Sequence, residues 1–345
     1  MAVKRTGILL AGTILVDNIK IIDHYPEIGT LSNISAVSQS VGGCVPNTAI
    51  NIAKIDPKLQ LYVAGRIGDD QDGRVVYWQL NNHYINMDEL SVSPTAATSF
   101  SDAMSLRSGE RTFFHYRGAN SEFGPEHIEP EKWKCRIAHF GYILLLDRFD
   151  RPDKTYGTVL AKTLCKVQEL GIKTSIDAVS DSSGNYRKTL VPALRYCNYV
   201  ILNEIESCAA WALDPRTEDG RLNYENICTA MRNMVQEGVK DKVIVHAKEA
   251  AFICDAATGE ITVLPSLKVP PEEIVGSTGA GDAFCAASLY GLYHGYDDRY
   301  LLEFASAAAV CNLSCDNAVD GMKKASEIVE VTKKYPRLDL ESVVG

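Results

Sequence analysis

The stretch "IVGSTGAGDAFCAASLYG" (residues 274–291) joins an apolar segment to apolar residues at helical spacing through a glycine-rich turn. This pattern predicts a turn that presents backbone N–H groups at the N-terminus of a helix. Gly279, Ala280 and Gly281 leave room for a bulky anion, and the helix dipole favours its negative charge. The stretch therefore predicts an anion-binding loop. The alternative is a tight turn that only lets the helix pack on a sheet.

Asp282 is the acid at the end of this turn. A carboxylate at a helix N-terminus is stabilised by the dipole, so we expect an ordinary, low pKa. Placed beside a substrate hydroxyl, it could accept the proton while the neighbouring N–H groups stabilise a transferring phosphoryl group. A simple helix cap is the alternative role for this aspartate.

Two better-known phosphate loops can be compared with this turn. The sequence contains neither the GxxxxGK[ST] pattern of a P-loop nor GxGxxG. The run from Gly276 to Gly281 could be a relaxed dinucleotide fingerprint, but no strand-rich unit follows it to complete a dinucleotide-binding half. A dinucleotide-dependent oxidoreductase is therefore a third-ranked function.

Composition indicates a globular chain with a large core: 46% of the 345 residues are hydrophobic and 23% are charged. The net charge of −9 argues against a nucleic-acid partner. No stretch approaches the roughly 20 apolar residues of a membrane span, so we expect a cytoplasmic protein without membrane contact. The ten cysteines show no repeated CxxC, which favours buried, reduced thiols.

Short apolar strands alternate with helical patterns along the chain, which predicts an α/β core built on a mostly parallel sheet with helices on both faces. The predicted strands are 7–12, 61–68, 137–145, 173–179, 199–203, 242–247 and 250–255. The predicted helices are 46–54, 72–81, 155–170, 225–237, 281–294 and 299–315.

Two segments, 13–40 and 94–118, interrupt this alternation. The second reads as two strands joined by a turn at "RSGE" (107–110). We expect these segments to form a small β-sheet lid over the substrate site, with residues 1–12, 41–93 and 119–345 forming the core and the ATP site. A decorated loop region is the alternative.

The motif "STGAGDAF" (277–284) resembles the signature of the ribokinase-like (PfkB) carbohydrate kinases, Asp-Thr-x-Gly-Ala-Gly-Asp. Further segments match that family in order, from residue 7 to about 325. The resemblance implies a three-layer Rossmann-like core with a β lid, and an ATP-dependent phosphotransferase. It also implies that Asp282 is the base and that Gly279, Ala280 and Gly281 form the anion hole.

Two segments resemble the family's sugar-binding elements: "GTILVDN" (12–18) and "VGGCVPNTAINIA" (41–53). By this resemblance Asp17, Gly42, Gly43 and Asn47 hold the substrate. A carboxylate, an amide and the backbone of glycines that have no side chain suit a polyol, because each of its hydroxyl groups both donates and accepts a hydrogen bond. A turn-capping aspartate and a bend at the glycines are the alternatives.

"ILNEIES" (201–207) resembles the family's Asn-x-x-Glu element, which implies that Asn203 and Glu206 support Mg²⁺ and the ATP phosphates largely through water. The alternative is a helix N-cap, and the two roles are compatible. The resemblance also implies a set of residues that bind the nucleotide: Asn203, His246, Lys248, Ser277, Gly279, Gly281 and Ser306.

Three departures from the family pattern bear on function. Gly276 replaces the acid that helps many members hold a monovalent cation, which leaves a K⁺ requirement open. "VIVHAKEAAF" (243–252) replaces a glycine-rich turn and puts His246 and Lys248 beside the nucleotide, where Lys248 is either a phosphate ligand or a solvated lysine. "SIDAVSD" (175–181) keeps at Asp177 only part of the Asp-x-Asn-x-Arg run that sugar-kinase members of the family often carry, which leaves the identity of the substrate open.

The resulting prediction is an ATP-dependent sugar kinase that acts on a small monosaccharide and forms a possible homodimer through the lid. A nucleoside kinase of the same fold is the nearest alternative. By the resemblance, the lid segment could place Phe100, Phe114 or Tyr116 over a face of the sugar. Several Phe or Tyr side chains near the site would instead favour a nucleoside kinase, because a base needs a flat apolar slot. A catalytically silent sugar or nucleotide sensor is the alternative from another class.

Overall fold

The computed structural model describes residues 5–107, 110–180 and 184–345. Its main element is a nine-stranded sheet in the order β15-β14-β13-β12-β11-β8-β1-β4-β5. The strands of this sheet are β1 (Ile8–Gly12), β4 (Leu61–Gly68), β5 (Asn86–Ser93), β8 (Ile137–Ile143), β11 (Lys173–Ala178), β12 (Tyr199–Asn203), β13 (Lys242–His246), β14 (Ala250–Asp255) and β15 (Ile261–Pro265). Seven strands, from β13 to β5, run parallel, and β14 pairs antiparallel with both of its neighbours.

Helices cover both faces of this sheet because successive strand residues point to opposite sides. On β1, Ile8 and Leu10 join one apolar cluster, and Leu9 and Ala11 join the other. The helices are α1 (Cys44–Ile55), α2 (Gln71–Asn82), α3 (Val159–Glu169), α4 (Tyr186–Leu194), α5 (Glu204–Ala209), α6 (Tyr224–Gln236), α7 (Ala280–His294), α8 (Asp298–Asn312), α9 (Ala325–Lys334) and α10 (Leu340–Val343). Helices α1, α2, α7 and α8 lie on the first face, and α3, α4 and α6 on the second. The predicted α/β class is confirmed.

A separate four-stranded sheet is formed by β2 (Leu15–Ile22), β3 (Ile34–Gly42), β6 (Ser99–Leu106) and β7 (Arg111–Tyr116), in the order β3-β2-β6-β7. Its two outer pairs are antiparallel, and β2 and β6 pair in parallel. The predicted turn at 107–110 includes residues 108 and 109, which lie outside the described residues. That this sheet is a lid with the predicted boundaries remains a prediction.

The sequence patterns missed several elements for local reasons. Strand β5 is largely half-exposed and has no apolar run, and α4 contains Pro192, which weakens a helical pattern. The helix predicted from 155 begins at Val159. Residues Pro152–Asp153 (β9) and Gly157–Thr158 (β10) form a two-stranded sheet first, and Thr158 caps the helix.

All ten cysteines are free thiols and eight of them are buried. In the described parts of the chain, the helices are too short or too polar for any of them to cross a bilayer.

Candidate active site

The glycine-rich turn leads into helix α7 as predicted. Gly279 is the N-cap with φ 75°, and a Cβ there would lie 2.3 Å from Ala318 Cβ. The side-chain amide of Asn312 donates to the Thr278 carbonyl at 2.8 Å and holds the turn. The N–H of Ala280 donates to Ser277 within the turn at 3.2 Å. The N–H groups of Gly281 and Asp282 have no acceptor inside the helix, because they precede the first i to i−4 bond. They are the donors best placed for an anion.

Asp282 is buried, with 9% of its surface exposed, and two side chains from other elements donate to its carboxylate. Asn47 Nδ2 of α1 donates to Oδ2 at 2.9 Å. The Tyr142 hydroxyl, just beyond Gly141 in β8, donates to Oδ1 at 2.5 Å. These two bonds hold both oxygens of the carboxylate, and the N-cap of α7 is Gly279, so Asp282 does not serve as the helix cap.

The pKa of Asp282 is raised to about 7, and the sequence-based expectation of a low pKa is wrong. Burial is the main cause, because an ionised carboxylate loses its hydration there. The hydrogen bonds from Tyr142 and Asn47 lower the pKa, while the nearby acids Asp177 and Asp17 raise it. A pKa near neutral suits a general base.

A pH dependence follows from this pKa. Because the base acts only when ionised, we expect kcat/KM for the phosphate acceptor to rise with pH through about 7 and to level off above it. Initial rates at saturating ATP between pH 5 and 9 measure this profile. A rate that is flat from pH 5 to 7 would contradict the assignment.

Sequence analysis missed Tyr142, which lay inside a predicted strand with no motif around it. Its bond lowers the pKa of Asp282, so Tyr142→Phe should move the rising limb of the profile to higher pH. Activity lost at pH 7 should then return in part at pH 9. A uniform loss at every pH would show that the hydroxyl acts only on structure. Tyr186→Phe, a phenol that donates to the Val179 carbonyl, is the matched control.

The predicted sugar-binding residues lie around Asp282. A Cβ on Gly42 would lie 2.1 Å from Asp17 Oδ2, and Gly43 has φ 88° with the Thr13 carbonyl 2.7 Å from where its Cβ would be. Both glycines are therefore required by close packing. Asn47 Oδ1 is buried and has no hydrogen-bond partner among the described residues, so it is available to a ligand. Burial raises the pKa of Asp17 to about 6.

The small sheet turns a polar face toward this site. Asp17 pairs with Ser40 of β3 and Ser101 of β6, and Ser101 pairs with His115 of β7. Partners in register share a face of a sheet. Arg111, four residues before His115 and on the same face, donates to Thr278 of the glycine-rich turn, so this is the face toward the site.

Phe100, Phe114 and Tyr116, the predicted candidates to cover the sugar, lie on the other face of the small sheet. Phe100 and Tyr116 pair with each other, and their rings lie 5.2 Å apart at an angle of 35°. Phe100 pairs with Val16, the neighbour of Asp17, and therefore points to the opposite face. Phe114 pairs with Asp102, which pairs with Asn18. Phe113 shares the face of Asp17 but lies one row further along the strand, opposite Ala103.

Asn203 and Glu206 form a capping box at the start of α5, as the alternative interpretation predicted. Asn203 Oδ1 accepts from the Glu206 N–H at 2.8 Å, and Glu206 Oε2 accepts from the Asn203 N–H at 3.0 Å. Glu206 Oε1 also accepts from Ser180 at 2.9 Å. Burial raises the pKa of Glu206 to about 8. Both residues nevertheless line a cavity of about 260 Å³ together with Tyr142, Asp177, Gly279 and Asp282.

A second cavity, of about 580 Å³, adjoins the other side of the turn. It brings together five of the predicted nucleotide residues: His246, Lys248, Ser277, Gly281 and Ser306. Phe284, Val310 and Leu313 supply an apolar wall. His246 lies 4.8 Å from the Phe284 ring, and desolvation lowers its pKa to about 4, so it is neutral. Lys248 is exposed at the rim.

The two cavities meet at the glycine-rich turn, since Gly281 and His246 line both. A phosphate chain that extends from the larger cavity would reach the N-terminus of α7 and then Asp282. This arrangement is that of a phosphotransferase, with a nucleotide on one side of the turn and an acceptor on the other.

Comparison with known proteins agrees with this arrangement. Residues 12–325 match the family described as "pfkB family carbohydrate kinase". "Probable fructokinase-6, chloroplastic" of Arabidopsis thaliana is 24% identical over 332 residues, which cover 91% of this chain and 80% of that protein. The structure of Arabidopsis thaliana ribokinase complexed with ribose and ATP superposes with a TM-score of 0.77 at 20% identity, covering 95% and 99% of the two chains. A candidate ribokinase II from E. coli, in complex with ATP and Mg²⁺, superposes with a TM-score of 0.73 at 19% identity over 96% and 100%.

The chain belongs to the pfkB family of carbohydrate kinases, because the family match spans most of its length. It is accordingly a phosphotransferase that acts on an alcohol group of a sugar or nucleoside.

Proposed function

We propose that the protein transfers the γ-phosphate of ATP to a hydroxyl of a small monosaccharide. The observation that carries this proposal is the position of Asp282. It is buried at the N-terminus of α7, between the apolar nucleotide cavity and the polar face that carries Asp17.

Asp282 in its carboxylate form accepts the proton of the attacking hydroxyl. Its oxygens are held by Asn47 and Tyr142, so the carboxylate needs little reorganisation when the proton moves. The N–H groups of Gly281 and Asp282 stabilise the charge on the transferring phosphoryl group. Asp17 and the free Oδ1 of Asn47 accept hydrogen bonds from sugar hydroxyls.

The residues around the smaller cavity fit Mg²⁺ held largely through water. Mg²⁺ prefers few protein oxygens and keeps several waters, and Glu206 and Asn203 put one carboxylate and one amide on that cavity. The ion would neutralise charge on the ATP phosphates when bound. Inner-sphere binding at Glu206 would have to displace its bonds to Ser180 and Asn203.

A sugar is favoured over a nucleoside by the face of the small sheet. Its row Ser40, Asp17, Ser101 and His115 is polar, which suits hydroxyl groups. Phe100, Phe114 and Tyr116 are on the opposite face and cannot form a slot for a base. The small sheet thus acts as a lid that excludes water from the reaction.

The outer part of the lid supports a homodimer contact. On the face opposite Asp17, Val37 and Phe114 are strongly exposed, at 67% and 59%. Phe113, on the face of Asp17, is exposed at 60%. Large apolar side chains exposed to this degree are found at protein interfaces. We therefore include in the proposal a homodimer that forms through the small sheet.

Independence from K⁺ is expected because Gly276 brings no carboxylate to the turn. A Cβ at this position would lie 2.8 Å from the Cys315 carbonyl, so no acidic side chain fits without a shift. Replacing K⁺ by tetramethylammonium should change kcat by less than about twofold. An ion that stabilised the transition state by about 1.4 kcal/mol would raise kcat about tenfold. Activation by K⁺ of tenfold or more would contradict this prediction.

The test of the proposed function is release of ADP from Mg-ATP across a panel of pentoses, hexoses, sugar acids and nucleosides. Turnover with one sugar supports the proposal. Turnover with nucleosides alone would replace it by a nucleoside kinase. Binding of ATP or sugar, seen as a raised Tm, without any turnover would indicate a sensor.

A further inference from the structure

A cluster of metal-binding side chains lies behind Asp282 and takes no part in the proposed reaction. Cys44 is the first residue of α1, His139 lies in β8, Asp177 lies in β11, and Cys285 lies one turn after Asp282 in α7. All four are buried, with exposed fractions of 0%, 0%, 6% and 3%.

The potential metal ligands of this cluster lie close to one another, and the contact between the imidazole and the carboxylate is long for a hydrogen bond. His139 Nε2 lies 3.4 Å from Asp177 Oδ2, which exceeds the usual 2.7–3.2 Å of an N–H···O bond. Cys44 Sγ lies 3.7 Å from the same oxygen, and Cys285 Sγ lies 3.7 Å from His139 Nε2. The donor atoms of Cys44, His139 and Asp177 all lie within 4.8 Å of one another.

The three separations of 3.4, 3.7 and 3.7 Å match edges of a zinc tetrahedron. Zn–S bonds of about 2.3 Å and Zn–N or Zn–O bonds of about 2.0–2.2 Å put neighbouring donor atoms about 3.3–3.8 Å apart. We propose that Cys44, His139 and Asp177 bind a Zn²⁺ ion, with Cys285 as the fourth ligand.

The surroundings of the cluster support this assignment. His139 Nδ1 lies 3.0 Å from Ser175 Oγ, an outer partner that fixes the ring and leaves Nε2 for the metal. Asp177 Oδ1 is buried without a hydrogen-bond partner in the part of the chain that the structure describes. Asp177 and Cys285 both line the 260 Å³ cavity, which gives an ion a route to the cluster.

The ion would join the four elements that position the catalytic aspartate. It would tie the start of α1, which carries Asn47, to β8, which carries Tyr142, and to α7, which carries Asp282. Binding converts the coordinating thiols to thiolates and releases their protons to solvent, with no change of oxidation state. The role is structural and is independent of the substrate.

The test measures bound metal in the full-length protein. Excess Mg²⁺ is added to occupy oxygen-donor sites, and the desalted protein is analysed for zinc. We expect about one Zn²⁺ per chain, as for a closed structural site. Cobalt substitution should give the near-ultraviolet absorption of a thiolate–cobalt bond. Zinc should also raise the Tm of the chelator-treated protein.

Two variants locate the metal. In Cys44→Ser, zinc affinity should fall by at least the 10- to 100-fold that loss of an outer partner costs, and the cobalt–thiolate absorption should weaken. Cys197→Ser is the control, because it removes a buried thiol outside the cluster, one that donates to the Ala193 carbonyl. This variant should keep the wild-type zinc affinity and cobalt–thiolate absorption. Should Cys44→Ser not fold, His139→Gln tests the same site.

Two outcomes would overturn the proposal. Wild-type protein without zinc and without cobalt–thiolate absorption would show that the cluster is a His–Asp pair beside neutral thiols. Absorption that is unchanged in both Cys44→Ser and His139→Gln would place the metal at other cysteines. Neither measurement depends on kinase activity, so failure of the proposed function would not affect them.

Discussion

Asp282→Asn should lower kcat by about 10²–10⁴ and leave the chain folded. The variant keeps the shape of the side chain and removes its ability to take the acceptor's proton. Asn47 Nδ2 can still donate to the amide oxygen at the position where it now contacts Oδ2. The measurement is ADP release with the best acceptor, at pH 8, where the wild-type carboxylate is ionised.

Stability provides an internal check on this variant. Burial raises the pKa of Asp282 in the folded chain from its ordinary value of 3.8 to about 7, so the unfolded chain releases this proton at lower pH than the folded chain. The wild type therefore loses stability between about pH 4 and pH 7 relative to a neutral side chain, and the loss is constant above pH 7. We expect Asp282→Asn to melt at a higher temperature than the wild type at pH 8, and at a similar temperature near pH 4.

Asp150→Asn is the matched control for this experiment. Burial raises the pKa of Asp150 to about 7 as well, and its carboxylate accepts the Leu146 N–H at 3.0 Å. It lines a different cavity, beside Arg117 and Thr158. We expect near-wild-type kcat in this variant. A comparable loss in both variants, or more than a tenth of wild-type kcat in Asp282→Asn, would contradict a base at Asp282.

Gly281→Ala should lower kcat/KM for ATP by about 10²-fold without loss of stability. The nearest protein atom to an added Cβ is His246 Cε1 at 3.4 Å, so the methyl group fits the protein and projects where the two cavities meet. A displacement of the phosphate by about 1 Å is enough for a loss of this size. Alanine also stabilises a helix by about 1 kcal/mol relative to glycine.

Gly279→Ala should behave differently, because its Cβ would lie 2.3 Å from Ala318 Cβ in a residue with φ 75°. We expect a clear fall in Tm. Gly171→Ala is the control, with φ 78° and no atom within 4 Å of the added Cβ, so it reports the backbone strain alone. If Gly281→Ala keeps wild-type kcat/KM for ATP, the turn does not bind the phosphates.

The register of the small sheet bears directly on the proposed substrate specificity. The alternation of β6 and β7 in sequence identifies two faces but not which face meets the substrate. Pairing of Asp17 with Ser101, and the bond from Arg111 to Thr278, assign the polar face to the site. The sugar proposal depends on this assignment, because the aromatic residues alone would have suited a nucleoside.

The sequence by itself determined the features that depend on neighbouring residues. The glycines before α7, the strand and helix alternation and the capping box at Asn203 and Glu206 all follow from preferences that act over a few residues. The resemblance to a kinase family rests on the same short motifs. These predictions concerned which segment forms which element, and most agree with the structure.

Tertiary structure alone decided the chemistry of the site. Tyr142 precedes Asp282 by 140 residues in the sequence. Their hydrogen bond exists only because the carboxyl end of the central strand β8 meets the N-terminus of α7. The same packing brings Cys44, His139 and Asp177 together from three elements. The dipole of α7 is a local property, whereas the removal of water around Asp282 depends on every element packed against it. Desolvation outweighs the dipole, and this is why the pKa rises to about 7.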